Sequence, residues 1–429
     1  MAGVVAAGEL ARLPGVHVDL YEKASQLGGL QHSVILQDTA FDIGAFIFTD
    51  DHELFDVFPD LKALFLRVRP KHRSLTPVGT LDDYPSTVRG FIRDHGLLTF
   101  ALSVASLLVG KVRHRCRDTL PHLVRYYLGD VLYERTGFRG YIERLYGLPD
   151  HEIDMEFAAR RLFFLKDVCS VRRRAARSVL RLLGRGNVSF DAPDVLVRPK
   201  AGFQPVYEAI HAALLTRGVA VHLGSAPEAI RRHGSGTFEL LLENGVRRYD
   251  RVVSTLPVAM TARLIGEPLG EDLDYMRLIS LFYRMPGPTR YDAAVLCNLT
   301  TSGRWKRLVD FTSLYGLDDA FHYVTIEVTS RESGTDAIAA ADRDFRQHAT
   351  VNGLCHGEIE YLGAHVTEHA YPVYRVSDTL RVHEARARLT AWGVDLLGRQ
   401  GRFEYSTSAL VAAQARILAS KISEDERAP

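Results

Sequence analysis

The sequence is short of the features that mark several common protein classes. Its four cysteines, Cys116, Cys169, Cys297 and Cys355, stand far apart without a C-x-x-C pair. Such spacing supplies neither a disulfide framework nor a thiolate zinc site, so a reducing, cytoplasmic setting is expected. Charge of one sign is lacking too, with 53 basic against 52 acidic side chains and a formal net charge of +1. So weak a net field gives no bulk attraction for nucleic acid, and no such partner is expected. No apolar run reaches the roughly 20 residues that cross a bilayer. The most apolar stretch, Leu97 to Val109 (LLTFALSVASLLV), fits a buried or surface-dipping helix. The opening MAGVVAAGEL has no basic leader and meets Glu9 early, so it reads as the interior of a helix and not as a signal peptide. Repeats and low-complexity tracts are absent apart from a polar tail after Ile422.

What is present is an ordinary globular composition, 46% hydrophobic and 24% charged over 429 residues, enough for two domains or one large composite. Gly3 to Leu13 reads as a helix of small residues ended by Pro14-Gly15. Alternation at Val16, Val18 and Leu20 gives a strand ending at Glu22, and Ala40 to Gly44 gives another. From about Leu81 to Leu183 the pattern is mostly helical. Strand signals resume after Asp194, with a helix from Pro205 to Thr216, a strand Val219 to Leu223, a hairpin at Asn244-Gly245 and a strand Arg251 to Thr255. Leu278 to Tyr283 and His322 to Val328 suggest a second sheet, and a last strand and helix run from Val394 to Ser420.

The most informative motif lies near the start. VHVDLYE (Val16 to Glu22) followed by Gly28-Gly29 has the form of the second strand of a dinucleotide-binding unit, its ribose acid and its phosphate-side glycines. A carboxylate at a strand end can accept both hydroxyls of a ribose, and glycine lets backbone approach a pyrophosphate. The strand and glycine-rich turn that precede such an acid are not in the sequence, and only Gly3 stands where the last glycine of the turn belongs. Gly398-Arg399, ahead of the final helix, supplies a guanidinium suited to pyrophosphate oxygens.

In their order along the chain these segments resemble the superfamily of flavin-dependent amine oxidases, protoporphyrinogen oxidases and UDP-galactopyranose mutases. The resemblance rests on Tyr21-Glu22 with Gly28-Gly29, Phe41-Asp42-Ile43-Gly44-Ala45, Asp83-Tyr84-Pro85 and Tyr146-Gly147-Leu148-Pro149. It continues through Pro199 to Phe203, Ser254 to Pro257, Tyr371-Pro372-Val373-Tyr374 and Gly398-Arg399. It implies an α/β fold: an FAD/NAD(P)-binding Rossmann-like domain, N-terminally truncated so that its first strand is missing, with an inserted α+β substrate domain. The FAD-binding part would comprise residues 1–75, 195–268 and 360–429, and the substrate part 76–194 and 269–359. By the same resemblance FAD would be held by Gly3, Glu22, Gly28, Gly29, Gly44, Gly398 and Arg399. Its ring system would lie between the Ile43 to Phe48 loop, the Tyr371 region and the start of the final helix.

The expected activity is hydride transfer from an organic small molecule to flavin N5, with Tyr371, Tyr374 and Lys200 as candidates on the catalytic side. Two alternatives are a redox-neutral mutase, with Arg160, Arg161 and Arg198 meeting a diphosphate, and a scaffold without cofactor. The mutases carry a histidine where this chain has Phe46, and Thr407 and Ala409 replace their acidic pair. His365-Val366-Thr367-Glu368-His369 has metal-like spacing if helical, but it lacks a third ligand, so no metal is expected. Arg172, Arg173, Arg174, Arg177, Arg181 and Arg185 among apolar residues form a basic amphipathic pattern, read first as a solvated helix face. With the Leu97 run, it leaves peripheral contact with a membrane as a further expectation.

Overall fold

The computed structural model describes residues 1–155, 194–234, 236–270, 273–317 and 320–427. The arginine-rich run from Arg172, and Arg160 and Arg161, lie outside them.

The nucleotide-side half is built on short parallel strands. Asp19–Glu22 pairs with Ala220–Leu223, and Val252–Ser254 pairs with Val394–Leu396. No described strand joins the two pairs into one ladder. The helix Ala2–Leu10 reaches across them, since a Cβ at Gly3 would meet Leu20 of one side and Thr255 beside the other. Its small side chains set that closeness. A Cβ on Gly8 would come within 2.8 Å of Val57 and Phe58. The helices Gln204–Thr216 and Ser408–Arg427 cover this half, with Val5, Ile210, Leu214 and Ala412 among the residues fully withdrawn from water.

The other half centres on a seven-stranded sheet. Its order is Glu360–Pro372, Tyr275–Pro286, Phe321–Ser330, Trp305–Asp310, Val295–Asn298, His72–Leu75 and Leu81–Asp83. All neighbours are antiparallel except Val295–Asn298 with His72–Leu75. Strand alternation sends residues of one parity to each face. Ile279, Leu281, Tyr283, Val324, Ile326 and Val328 pack with Phe345 of the helix Thr335–Val351. The opposite parity meets the nucleotide-side half: Phe282 packs on Phe41, Ser280 donates to the Ile43 carbonyl (2.7 Å) and Thr325 to that of Asp42 (3.0 Å).

This sheet takes in His72–Leu75 and Glu360–Pro372, two segments expected on the FAD side of the boundaries at 75 and 360. Ladder pairing decides both cases. Glu360–Pro372 runs antiparallel along nearly the whole of Tyr275–Pro286 and is too long to belong to the three- and four-residue parallel strands.

The helices Val88–Arg113, Leu120–Arg135 and Phe138–Tyr146 form the remaining unit. Gly137 starts the third in left-handed backbone at φ 75°, pressed against the Leu299 carbonyl. Arg144 then donates to the carbonyls of Asn298 (2.8 Å) and Thr300 (3.3 Å), tying the helix to the sheet.

Gly137→Ala is expected to cost about 3 kcal/mol, because its Cβ would overlap the Leu299 oxygen at a φ that L-residues avoid. Gly140→Ala, in the same helix with nothing within 4 Å of the added carbon, is expected to be neutral or to stabilise by up to about 1 kcal/mol. Urea unfolding of the two variants checks the pair.

Candidate functional site

Glu22, Gly28, Gly29, Gly3 and Gly398 lie in the nucleotide-side half. Glu22 closes its strand, and its Oε1 accepts the Ala24 N–H at 2.9 Å, which fixes the carboxylate at the strand end. Gly28 (φ 138°) and Gly29 (φ 59°) follow in backbone that favours glycine. A Cβ on Gly28 would strike the Gln31 carbonyl at 2.8 Å, whereas one on Gly29 would meet nothing within 4 Å. Gly28 is therefore required by the turn, and Gly29 presents open backbone. Gly398 (φ 80°) lies against the start of the first helix, 3.0 Å from Ala2 once a Cβ is built. Gly3, Glu22 and Gly398 thus gather about one helix end.

Arg399 takes a different position from the one expected. Its Nε and Nη2 both donate to the Ser406 carbonyl, at 3.0 and 2.7 Å, and its guanidinium lies over the rings of Tyr371 and Tyr405 at 5.4 and 5.3 Å. It joins the final turn to the Tyr371 strand. Lys200 is exposed, and its carbonyl, not its amine, enters the structure by accepting from Arg198. Tyr374 is packed among Tyr146 and Phe403. Of the three catalytic-side candidates, Tyr371 is hydrogen-bonded to a buried cation, Lys306.

That cation belongs to a buried cluster which the sequence reading missed. Glu327 is fully buried and both of its oxygens are engaged. Arg307 donates to them from Nε (2.8 Å) and Nη2 (2.9 Å), Lys306 Nζ lies 2.8 Å from Oε2, and the Ala45 N–H donates to Oε1 at 3.2 Å. Lys306 also donates to the Tyr371 hydroxyl at 2.8 Å and sits 4.4 Å from its ring centre. Adjacent residues of one strand would normally face opposite ways. Here the register shifts between Trp305 and Arg307, so a bulge turns Lys306 and Arg307 toward the same carboxylate.

Burial alone would raise the Glu327 carboxyl, but Arg307 and Lys306 hold it below the usual carboxylate range. Burial works against the Lys306 charge, yet Glu327 and Tyr371 raise it above the ordinary lysine value. Burial would likewise raise the Tyr371 phenol, and Lys306 pulls it below the ordinary tyrosine value. The first two shifts favour the charged forms of Glu327 and Lys306, a fixed ion pair beside the Gly44-Ala45 backbone.

The profile of flavin containing amine oxidoreductases matches residues 1–303. The chain belongs to that family. Its members are FAD-dependent enzymes, and FAD is the cofactor of this one. The fold is the family's α/β, Rossmann-like architecture. Similar solved structures include a reduced UDP-galactopyranose mutase (17% identity, TM-score 0.75), with 98% of this chain and 91% of that one covered. A putative protoporphyrinogen oxidase from Exiguobacterium sp. 255-15 is 15% identical with TM-score 0.72, over 99% and 97% of the two chains. Putrescine oxidase bound to putrescine is 14% identical with TM-score 0.60, over 98% and 97%. No curated protein matches the chain.

Two other sequence readings change on the structure. Arg198 is 1% exposed and its donors are taken up by Asp42 (2.8 Å) and by the carbonyls of Ala40, Pro199 and Lys200. It is a structural ion pair and does not face a diphosphate. His365 and His369 lie in the strand Glu360–Pro372, where a spacing of four separates them by about 13 Å instead of placing them on one helical turn. A larger cleft of about 480 Å³, lined by Arg144, Met276, Thr300 and Arg331 among others, lies beside the Phe138–Tyr146 helix. Two of its arginines, Arg144 and Arg331, are bound to carbonyls and to Asp274.

Glu327→Gln is expected to destabilise the protein by about 3–5 kcal/mol at neutral pH, because two buried cations lose their carboxylate. A carboxyl held below its unfolded value contributes stability that is present above that value and is lost as pH falls through the depressed one. The gap between wild type and variant should therefore narrow in acid. Denaturant midpoints across the acid range measure it.

Proposed function

We propose that this enzyme oxidises an organic small molecule by taking a hydride from one of its C–H bonds, and that the buried Lys306–Glu327–Tyr371 unit bounds the reacting end of its cofactor site. Bound FAD supplies the electron acceptor at N5, and oxygen or another acceptor reoxidises it. Glu22 would hold ribose hydroxyls, Gly28 and Gly29 the pyrophosphate side, and Gly3 and Gly398 the close approach of the first helix. Gly44 and Arg399 would flank the ring system together with Tyr371. The observation that carries the proposal is the meeting of the Ala45 N–H and Lys306 on one buried carboxylate, with the Tyr371 hydroxyl on Lys306 and Arg399 beside the Tyr371 ring.

The residues fit that use. Lys306 is held charged and immobile by Glu327, so its ammonium gives a fixed positive charge where negative charge accumulates during reduction. Tyr371 accepts from that ammonium through its hydroxyl, and the cation of Arg399 lies 5.4 Å from the centre of its ring. A small enclosed space lined by Phe46, Ile47, Val197, Val309 and Phe311 adjoins the Gly44-Ala45 segment. Asp42 and Tyr315 also line it, and at about 10 Å³ it has room for no more than about one water molecule.

The mutase reading is favoured by the likeness in fold to the reduced UDP-galactopyranose mutase. Against it, Phe46 stands where the mutases carry histidine, and Arg198 is consumed by Asp42. Isomer formation from UDP-galactopyranose under dithionite would replace the oxidase reading with this one.

Anaerobic mixing of the FAD-loaded protein with a panel of amines is expected to bleach the visible flavin absorbance with at least one of them. Lys306→Met should retain flavin and slow that reduction by about 100-fold or more. A flavoprotein that no member of the panel reduces would contradict the substrate class, and an unchanged rate in the variant would remove Lys306 from the site.

A further inference from the structure

We propose that the outer face of the helix Val88–Arg113 docks on an anionic lipid bilayer, lying in the boundary between headgroups and acyl chains. By length and composition this helix could cross a membrane. It is broken, however, at Gly96 (φ 80°, ψ 165°). The part beyond the break, Leu97 to Arg113, is about 25 Å long at 1.5 Å per residue, less than the roughly 30 Å of a hydrocarbon core.

The pattern on that part is the reverse of a water-soluble helix. Its inward seam is small and polar: Ser103 and Gly110 are buried, and Ser106 accepts the Val131 N–H at 3.2 Å. Gly110 lies against the Arg125 carbonyl of the helix Leu120–Arg135, and Gly129 of that helix lies against the backbone of Leu107, each too close for a Cβ. Its outward face carries the large aliphatic residues. Leu98 is 76% exposed, Leu108 66% and Val112 79%, with Leu97, Leu102, Val104 and Val109 exposed beside them. No charged residue occurs between Leu97 and Gly110. Small residues at the helix contact and large apolar residues outside it are the arrangement that a lipid environment selects, and a contiguous apolar face of this extent marks an interaction surface.

What lies at the end of the face decides the occupant. Lys111 sits 4.0 Å from the ring centre of Tyr126 and 4.7 Å from that of Tyr127, and Arg117 lies 4.8 Å from Tyr126. Arg113 and Arg115 are exposed beside them. Asp118 is paired with His122 and Asp130 with Arg125. The result is a basic and aromatic collar at one end of an uncharged aliphatic face. Tyrosines suit the headgroup level, and clustered Lys and Arg are drawn to the anionic leaflet. A second copy of this chain would bring like collars together in a parallel face-to-face contact, whereas phosphate headgroups neutralise them.

The test is flotation of the full-length, FAD-loaded protein with phosphatidylcholine vesicles and with vesicles containing phosphatidylglycerol. Wild type is expected to float with the anionic vesicles, and more weakly at high salt. The triple variant Leu98→Gln, Leu108→Gln and Val112→Gln alters exposed positions only, so its circular dichroism should match wild type while its vesicle-bound fraction falls at least 10-fold. Arg113→Gln with Arg115→Gln should weaken binding to the anionic vesicles alone. Wild type that stays unbound with both vesicle types overturns the proposal, as does a triple variant that floats like wild type. Light scattering showing a dimer abolished by the triple variant, with no vesicle binding, would assign the face to a second copy instead.

Discussion

The interaction on which the rest of the structure depends is the Glu327 carboxylate, buried between Lys306 and Arg307. A carboxylate removed from water is tolerated only when paired and hydrogen-bonded on each oxygen. Here both requirements are met by residues from two directions: the bulged strand supplies the two cations, and the Ala45 N–H descends from the nucleotide-side half. The carboxylate is thus the point at which the two halves are joined by charge and not only by apolar contact. Moving any of its partners leaves an ion without compensation, so the Gly44-Ala45 backbone, Lys306 and Tyr371 are held in one arrangement.

The same demand for compensation runs through the molecule. Arg198 is buried because Asp42 and three carbonyls satisfy it, and this pair lies beside the segment that leads to Gly44. Sheet alternation separates the two environments cleanly, with aliphatic residues toward Phe345 and Ser280, Thr325 and Glu327 toward the site. The helix beyond Gly96 breaks the rule in the opposite sense by leaving large aliphatic residues in contact with solvent.

Local features of this fold could be read in the sequence because they are written in neighbouring residues. The small-residue helix at the start, the strand ending in Glu22, the Asn244-Gly245 hairpin and the glycine pair all carry their signals within a few positions. The charged cluster is different, since Lys306, Glu327 and Tyr371 come from three strands that only sheet pairing brings together. A signal was present: Glu327 is the lone acid in the strand FHYVTIEVTS, on the face that also carries Thr325 and Thr329. Lys306-Arg307, by contrast, looks like an exposed pair until the bulge is known. The Gly398-Arg399 motif was legible as a glycine turn ahead of the final helix, but its guanidinium serves the Ser406 carbonyl and two tyrosine rings, a contact set by the turn that follows.

The central claim is that this cluster forms one wall of the flavin site. Diffraction from crystals of the FAD complex tests it most directly. The account predicts the isoalloxazine bounded by the Gly44-Ala45 backbone, Tyr371 and Arg399, with Lys306 still paired to Glu327. An isoalloxazine bound away from these residues, with the Lys306–Glu327 pair remote from it, would contradict the account.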